Sequence, residues 1–354
     1  MITVDDATEL ATSALTATGV PDTPARRTAE LLVLADVWGI ASHGLMRLPY
    51  YLSRLSAGGL RATADLIVVR DTGPVVAFDG NDGLGHWQLA EAAEVATRRA
   101  DQYGLAAVSV GRSSHCGALG LYATPGIRHD LLTLVFSTGP AVMAAPGTAT
   151  PLLSTSPIAA GIPGGPRPVV VDLATSAVAR GKIAARARTG EALPPGWAVD
   201  ANGAPTTDAH EALAGMLAPL GGAKGFALAF LVEALTGAAI GPSLATDVPD
   251  MFDHDHDPDP QQIGHLVVTI NPRLLDVDGQ APQRMARLAA NVEAAGGRVP
   301  GSNRTMPWDL DGGQSVPVAD ELVAELRSWS CGTLPNRHQR SNLHPTAVRE
   351  ERST

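Results

Sequence analysis

The sequence is short of cysteine, with only Cys116 and Cys331 in 354 residues. That excludes a disulfide framework and leaves no cysteine pair at metal-ligand spacing, the usage of a chain kept in a reducing compartment. Positive charge is scarce as well. Lys and Arg total 26 against 36 Asp and Glu, a formal net charge of −10, so the clustered basic surface that phosphate backbones require is missing and no nucleic-acid partner is expected. No apolar run approaches the roughly 20 residues of a membrane span. The N-terminal MITVDDATEL is acidic and has neither the basic nor the apolar part of a signal peptide, so a cytoplasmic protein without a membrane partner is expected.

Three common fingerprints are missing too. A Rossmann turn needs G-x-G-x-x-G between a strand and a helix, and the nearest stretch, GNDGLGHW at 80–87, has the wrong spacing. The Walker A pattern fails because Gly181-Lys182 is followed by Ile183 rather than Ser or Thr, and there is no G-x-S-x-G nucleophile elbow.

What is present suggests about two domains on length alone. Residues 6–37 read as two helices, the second opening at Thr23 with Pro24 in the first helical position, where its missing N–H costs nothing. After Gly39, the spacing of Leu45, Leu48, Leu52 and Leu55 predicts a helix stopped at Gly58-Gly59. Pro49 either kinks that helix or confines its regular part to residues from Leu48 onward. Beyond residue 64 the texture turns to short β-rich runs at 66–69, 75–78, 106–110, 131–136, 168–171 and 265–270. Helices are predicted near 86–103, 208–217 and 224–238. Several neighbouring strands have no helix between them, so a mixed sheet fits better than a strictly alternating parallel one. The expected fold is α/β. It has a mainly helical N-terminal region (1–64, packing with 273–334), a mixed-sheet domain (65–272) with a helical insert near 207–240, and a disordered tail over 335–354.

Four segments could carry chemistry. In GIASHGLMRL (39–48) a hydroxyl, an imidazole and a guanidinium stand close together as Ser42, His43 and Arg47. If the helix runs through His43, then His43, Arg47 and Tyr51 fall at i, i+4 and i+8 on one face. Imidazole suits general acid–base work, arginine suits a carboxylate through paired hydrogen bonds, and Ser42 could orient the ring. The plainer reading makes Ser42 an N-cap and the charged residues solvated. GRSSHCGALGLY (111–122) places His115 among small residues after a strand, where a ligand could approach the backbone or where the chain simply turns. Cys116 beside His115 is a poor thiolate pair, since sequence neighbours seldom meet in that way. VVVDLATSAVARGK (169–182) brings Asp172, Arg180 and Lys182, and PLGGAKG (219–225) sets Lys224 after a glycine turn and before an apolar helix. DHDHDPDP at 253–260 has the residue types of a metal site, but its prolines and dense like charge suit an exposed loop, and no metal is expected.

Taken in this order, the segments resemble the malate/L-lactate dehydrogenase family of nicotinamide-dependent oxidoreductases, which also includes sulfolactate and ureidoglycolate dehydrogenases, diketogulonate reductase and cyclic-imine reductases. The likeness runs from about residue 5 to 330. It implies a non-Rossmann nicotinamide-binding domain on a mixed sheet, a homodimer or larger assembly, NAD(H) or NADP(H) as cofactor, and as substrate a 2-oxo or 2-hydroxy acid or a cyclic imine acid. A catalytically silent, ligand-binding member is the remaining possibility.

Carried over residue by residue, the resemblance implies a catalytic set of Ser42, His43, His115 and Lys182, with either histidine handling the proton. It implies substrate contacts at Arg47 and Thr155, to which the helical spacing from His43 and Arg47 adds Tyr51. It implies cofactor contacts at His115, Cys116, Gly117, Ala118, Leu119, Asp172, Leu173, Ala174, Arg180, Gly181 and Lys224, and on the late loop at Arg298, Pro300, Gly301 and Arg304. The chain departs from the family in having Ser156 between Thr155 and Pro157, where asparagine is common, and Ser302 after Gly301, where an acidic residue often stands. Lys182 matches the hydroxyacid dehydrogenases, since cyclic-imine reductases tend to be acidic there. Carbonyl chemistry is therefore expected over imine chemistry.

Overall fold

The computed structural model describes residues 1–164, 168–251 and 253–332; the expected tail at 335–354 lies outside them. Helix α1, Val4–Ala17, is capped by Thr3, whose Oγ1 accepts the Asp6 N–H at 3.1 Å, and Asp5 and Asp6 complement the positive helix end. Its buried face repeats every three or four residues and includes Ala7, Ala11 and Ala14, which allows α2, Asp22–Val37, to lie close against it. Helix α2 opens at Asp22 rather than Thr23, so Pro24 is its third residue. The position is still tolerable, because amides of the first turn lack intrahelical acceptors.

Helix α3, Leu48–Ala57, joins these two and the C-terminal helix Asp320–Ser330 around Leu15, Leu32, Leu48, Leu52, Leu326 and Trp329. Gly58, at φ 90°, ends α3 as the glycine stop requires, and Pro49 sits harmlessly in its first turn. Residues 305–330 clasp the N-terminal region: Ser315–Val316 pairs antiparallel with Ile2–Thr3, and the Trp38 indole donates to the Thr305 carbonyl at 2.7 Å. Helix Ala281–Ala294 stands apart, largely exposed, with Met285 against Gly164.

The main sheet has seven strands in the order Ile67–Asp71, Val75–Asp79, Leu105–Ser113, Ile263–Ile270, Leu132–Ser137, Ile158–Ile162, Val169–Leu173. Only Val75–Asp79 and Leu105–Ser113 run parallel, and the other five neighbouring pairs are antiparallel. The sheet is thus mixed, as the missing crossover helices predict. Helix α4, Gly85–Tyr103, supplies that single parallel crossover and packs alanines 92, 93 and 96 into the same core as Val108, Val110 and Val267.

A smaller five-stranded sheet, with helices Arg180–Thr189 and Ala209–Ala214, has its own core of Val178, Ile183, Leu193, Ala198, Ala212 and Leu217. The helix expected over 208–217 stops at Ala214, because Gly215 presses on the Val199 carbonyl too closely for any side chain and Met216–Leu217 joins the sheet. The one expected over 224–238 is α-helical from Ala223 to Glu233 and ends in a π turn over Ala234–Ala238. No described helix is long and apolar enough to cross a membrane.

Candidate active site

The loop before α3 is not one helix. Two single 3₁₀ turns, Ala41–His43 and Leu45–Arg47, are separated by extended Gly44 (φ −95°, ψ −150°), so His43, Arg47 and Tyr51 do not form a helical stripe. Ser42 is not an N-cap either; its Oγ lies 2.9 Å from His43 Nδ1. Arg47 Nε donates to the Ser42 carbonyl at 3.4 Å, which folds the loop onto itself. Tyr51, one turn into α3, reaches across to place its hydroxyl 2.7 Å from His115 Nδ1. The His43 and His115 rings stack with centroids 5.7 Å apart. Residues that sequence periodicity would align on a helix are therefore gathered by a loop and by tertiary contact.

His115 follows strand Leu105–Ser113 and is held at both ends. Its backbone N–H donates to Gln261 Oε1 at 3.0 Å, and the Gly117 N–H points at its Nδ1 from 3.4 Å. An amide can only donate, so Nδ1 is the acceptor, Tyr51 O–H donates to it as well, and the ring proton belongs on Nε2.

Two further histidines complete the cluster. His86, in the first turn of α4, is fully buried edge-on against Tyr51, ring centroids 4.8 Å apart, and neither of its nitrogens has a hydrogen-bond partner among the described residues. His265, on the central strand, lies 2.9 Å from Ser137 Oγ through Nδ1 and donates from Nε2 to the Ser114 carbonyl at 3.0 Å. Both were missed by motif reasoning. His86 stands in GNDGLGHW, which fails as a dinucleotide fingerprint, and a buried histidine after a glycine turn is the signal that stretch did contain.

Burial pulls all four imidazoles below the usual 6.5: His43 to about 4, His86 to about 3, His265 to about 4, and His115 well down. On His43 the Arg47 charge adds to burial; on His115 the charges on His43 and then Arg47 do. The cluster is neutral at pH 7 beside a guanidinium. Cys116 is no nucleophile, because burial pushes its thiol up to about 12.

The small residues of 117–120 make room for protein rather than for a ligand. Gly117 is left-handed (φ 73°), and a Cβ there would meet His86 Nε2 at 2.8 Å; one at Gly120 would meet Asp172 Oδ2, Arg304 Nη1 and Val170, each at 3.0 Å. Asp172 accepts the Gly120 N–H at 2.9 Å, and Arg304 lies over the Trp38 ring, 4.6 Å from its centroid. Gly301 packs against Val170, and the Pro300 carbonyl accepts the Val170 N–H at 3.2 Å. The segment around Leu119, the end of the edge strand and the late loop therefore come together, with half-exposed Leu173 and Ala174 at the rim. The Thr155 carbonyl accepts both the amide and the hydroxyl of Thr175, at 2.9 Å each.

The remaining candidates stand apart from the histidines. Arg180 opens helix Arg180–Thr189 and donates to the Leu213 carbonyl at 3.2 Å; Gly181 and Lys182 are exposed on its first turn. Lys224 and Arg298 are exposed, and no hydrogen bond or ion pair ties them or Lys182 to the cluster among the described residues. In the 253–260 loop each histidine faces an aspartate three residues on, His254 with Asp257 and His256 with Asp259, while Ser53 and Arg54 of α3 hold the loop down. No group of three metal-ligating side chains is present among the described residues.

Comparison with known proteins places the chain in a family. Residues 2–327 match the family model described as malate/L-lactate dehydrogenase. A (2R)-3-sulfolactate dehydrogenase (NADP(+)) of Chromohalobacter salexigens is 37% identical over 331 residues, covering 93% of this chain and 98% of that protein. The sulfolactate dehydrogenase structure of Methanocaldococcus jannaschii superposes with a TM-score of 0.85 at 28% identity, covering 94% of this chain and 97% of that one. The Δ1-piperideine-2-carboxylate reductase structure of Pseudomonas syringae gives 0.84 at 29%, covering 93% and 99%. With a match over nearly its whole described length, this chain belongs to the malate/L-lactate dehydrogenase family.

Proposed function

We propose that the chain is an NAD(P)H-dependent oxidoreductase that interconverts a 2-oxo acid and a 2-hydroxy acid at the His43–His115 cluster. The observation that carries this is the Arg47 guanidinium beside two neutral, half-buried imidazoles, one of them with a serine hydroxyl on its Nδ1. Arg47 binds the acid's carboxylate through paired hydrogen bonds. His43 moves the proton to and from the substrate oxygen. Its Nδ1 faces the Ser42 hydroxyl, whose oxygen can accept the Nδ1 proton of both the neutral and the charged ring, which leaves Nε2 to exchange a proton with the substrate. His115 is less free, since the Gly117 N–H opposes a second ring proton; it serves as a fixed Nε2–H donor to the substrate.

The residues fit a nicotinamide dinucleotide. Arg304 has a buried Nη1 with no hydrogen-bond partner among the described residues, a donor suited to a phosphate or ribose oxygen. The amides opening helix Arg180–Thr189 offer a second anion site, with Lys182 on the same first turn as a cation. The bound cofactor supplies or accepts hydride, chemistry no side chain provides. In this reading the mixed sheet of 65–272 is a non-Rossmann nicotinamide domain, and the N-terminal helices with 305–330 carry the acid-binding loop. The test is loss of reduced-cofactor absorbance when the protein meets NADH or NADPH with a panel of 2-oxo acids and cyclic imine acids. Turnover of the imines alone would replace the carbonyl reading with the ketimine reading, and no turnover would leave only a ligand-binding role.

pH dependence follows from the sign of the His43 shift. Oxidation of the hydroxy acid needs neutral His43, which the free enzyme holds down to about pH 4. So kcat/KM for oxidation should stay level from pH 8 to about 5 as far as His43 is concerned, while kcat/KM for reduction should rise about tenfold for each unit that the pH falls over that range. A pH–rate profile in both directions checks this; an oxidation limb breaking near 6.5 would contradict it.

The exposed apolar side of helix Ala223–Glu233, with Leu228 43%, Phe230 62% and Leu231 52% accessible, fits a homodimer contact of this family. Phe230→Asp with Leu231→Glu is expected to shift the species seen by light scattering from dimer to monomer. An unchanged dimer would place the contact elsewhere.

A further inference from the structure

Asp36, near the end of α2, is a carboxyl only 8% exposed beneath the 39–47 loop. Its Oδ2 accepts the Leu45 N–H at 2.8 Å. That amide needs it: in the loop His43 N–H finds Ile40, Gly44 N–H finds Ala41 and Arg47 N–H finds Gly44, whereas Leu45 has no backbone acceptor. Gly44 fits the same contact from the other side, because a Cβ there would sit inside the Asp36 carboxylate. Burial pushes the carboxyl up to about 7 against the pull of the Leu45 amide. A buried carboxyl with one amide partner is costly on stability grounds. What it gains is a defined turn, with His43 and Arg47 two residues to either side of the anchored amide.

We propose that Asp36 is a positioning residue for the reaction proposed above, and that its contact with Gly44 and Leu45 sets the placement of both His43 and Arg47. The inference rests on that reading of the site. Steady-state kinetics of four variants test it. Asp36→Ala is expected to raise KM for the acid and lower kcat, each ~10-fold, since small misplacements of binding and proton-transfer groups are costly. Asp36→Asn keeps an acceptor oxygen and should stay within ~3-fold of wild type. Gly44→Ala should resemble Asp36→Ala. The double variant Asp36→Ala/Gly44→Ala should be no worse than either single change, because the new methyl fills the space the carboxylate leaves.

Loss of folded protein alone would lower the apparent kcat and leave KM unmoved, so an unchanged KM in Asp36→Ala overturns the proposal, as does strict additivity of the pair. Amide hydrogen exchange over 41–47 gives a readout without substrate: protection should fall in Asp36→Ala and persist in Asp36→Asn. Equal protection in both would also overturn it. If wild type turns over no acid, the functional reading fails while the exchange result still judges Asp36.

Discussion

Alanine at His43 is expected to lower turnover of the acid ~100- to 10,000-fold with little change in KM, the usual weight of a positioned proton carrier. Glutamine at His115 should cost only about tenfold, since its amide can still donate one hydrogen bond. The unequal pair follows from their partners. Ser42 accommodates both protonation states of His43, but the Gly117 amide and the Tyr51 hydroxyl converge on His115 Nδ1 and favour one state. Carboxylate binding at Arg47 would also lift His43, by cancelling the charge that adds to its burial. On that reading the His43 proton affinity would rise with substrate in place. Single-turnover rates of both variants decide the matter: a severe loss at His115 with a mild one at His43 would reverse the assignment.

The protein should also be acid-labile because of this cluster. His43, His86 and His265 have folded pKa values of about 3 to 4, below the 6.5 of an unfolded chain. Below pH 6.5 the unfolded chain takes up protons the folded one refuses, so stability falls as pH drops through 6.5 and goes on falling toward the folded values. At pH 5 each imidazole costs about 2 kcal/mol. Asp36 acts in the opposite sense. Its folded pKa of about 7 lies above the unfolded 3.8, so it gives back stability as pH falls from 7, offsetting about one histidine. The remainder is still a large share of the 5–15 kcal/mol typical of a folded protein. Denaturant titrations between pH 7.5 and 4.5 should show the decline, and His86→Leu should flatten it by about 1.4 kcal/mol per pH unit near pH 5. The same slope in both proteins would mean that His86 does not resist protonation.

Much of the sheet was legible because β-branched runs such as VVAF and HLVVTI have a direct physical reason to be strands, and because the lack of helices between them argues for antiparallel neighbours. The helix ends were less so. Pro24 fits any first-turn position, and Gly215 ends its helix only because the Val199 carbonyl approaches it. The site was legible in its residue types but not in its shape. Ser42, His43 and Arg47 could be picked out, yet their imagined helical stripe was a loop. Asp36 and Gln261 cannot be found by spacing, since they act by long-range contact with a backbone amide. Gly117 and Gly120 looked like openings for a ligand, while the structure fills their space with His86, Asp172 and Arg304.

The central strand Ile263–Ile270 is the last of its sheet to be synthesised, yet it pairs with Leu105–Ser113 on one side and Leu132–Ser137 on the other. Until it arrives, a growing chain carries two unpaired strand edges facing a gap, the kind of surface that recruits other chains. Gln261 and His265 come with that strand, so the backbone clamp on His115 closes only when the gap does. The contacts that hold the His115 segment are therefore completed in the same late event that ends the exposure to aggregation.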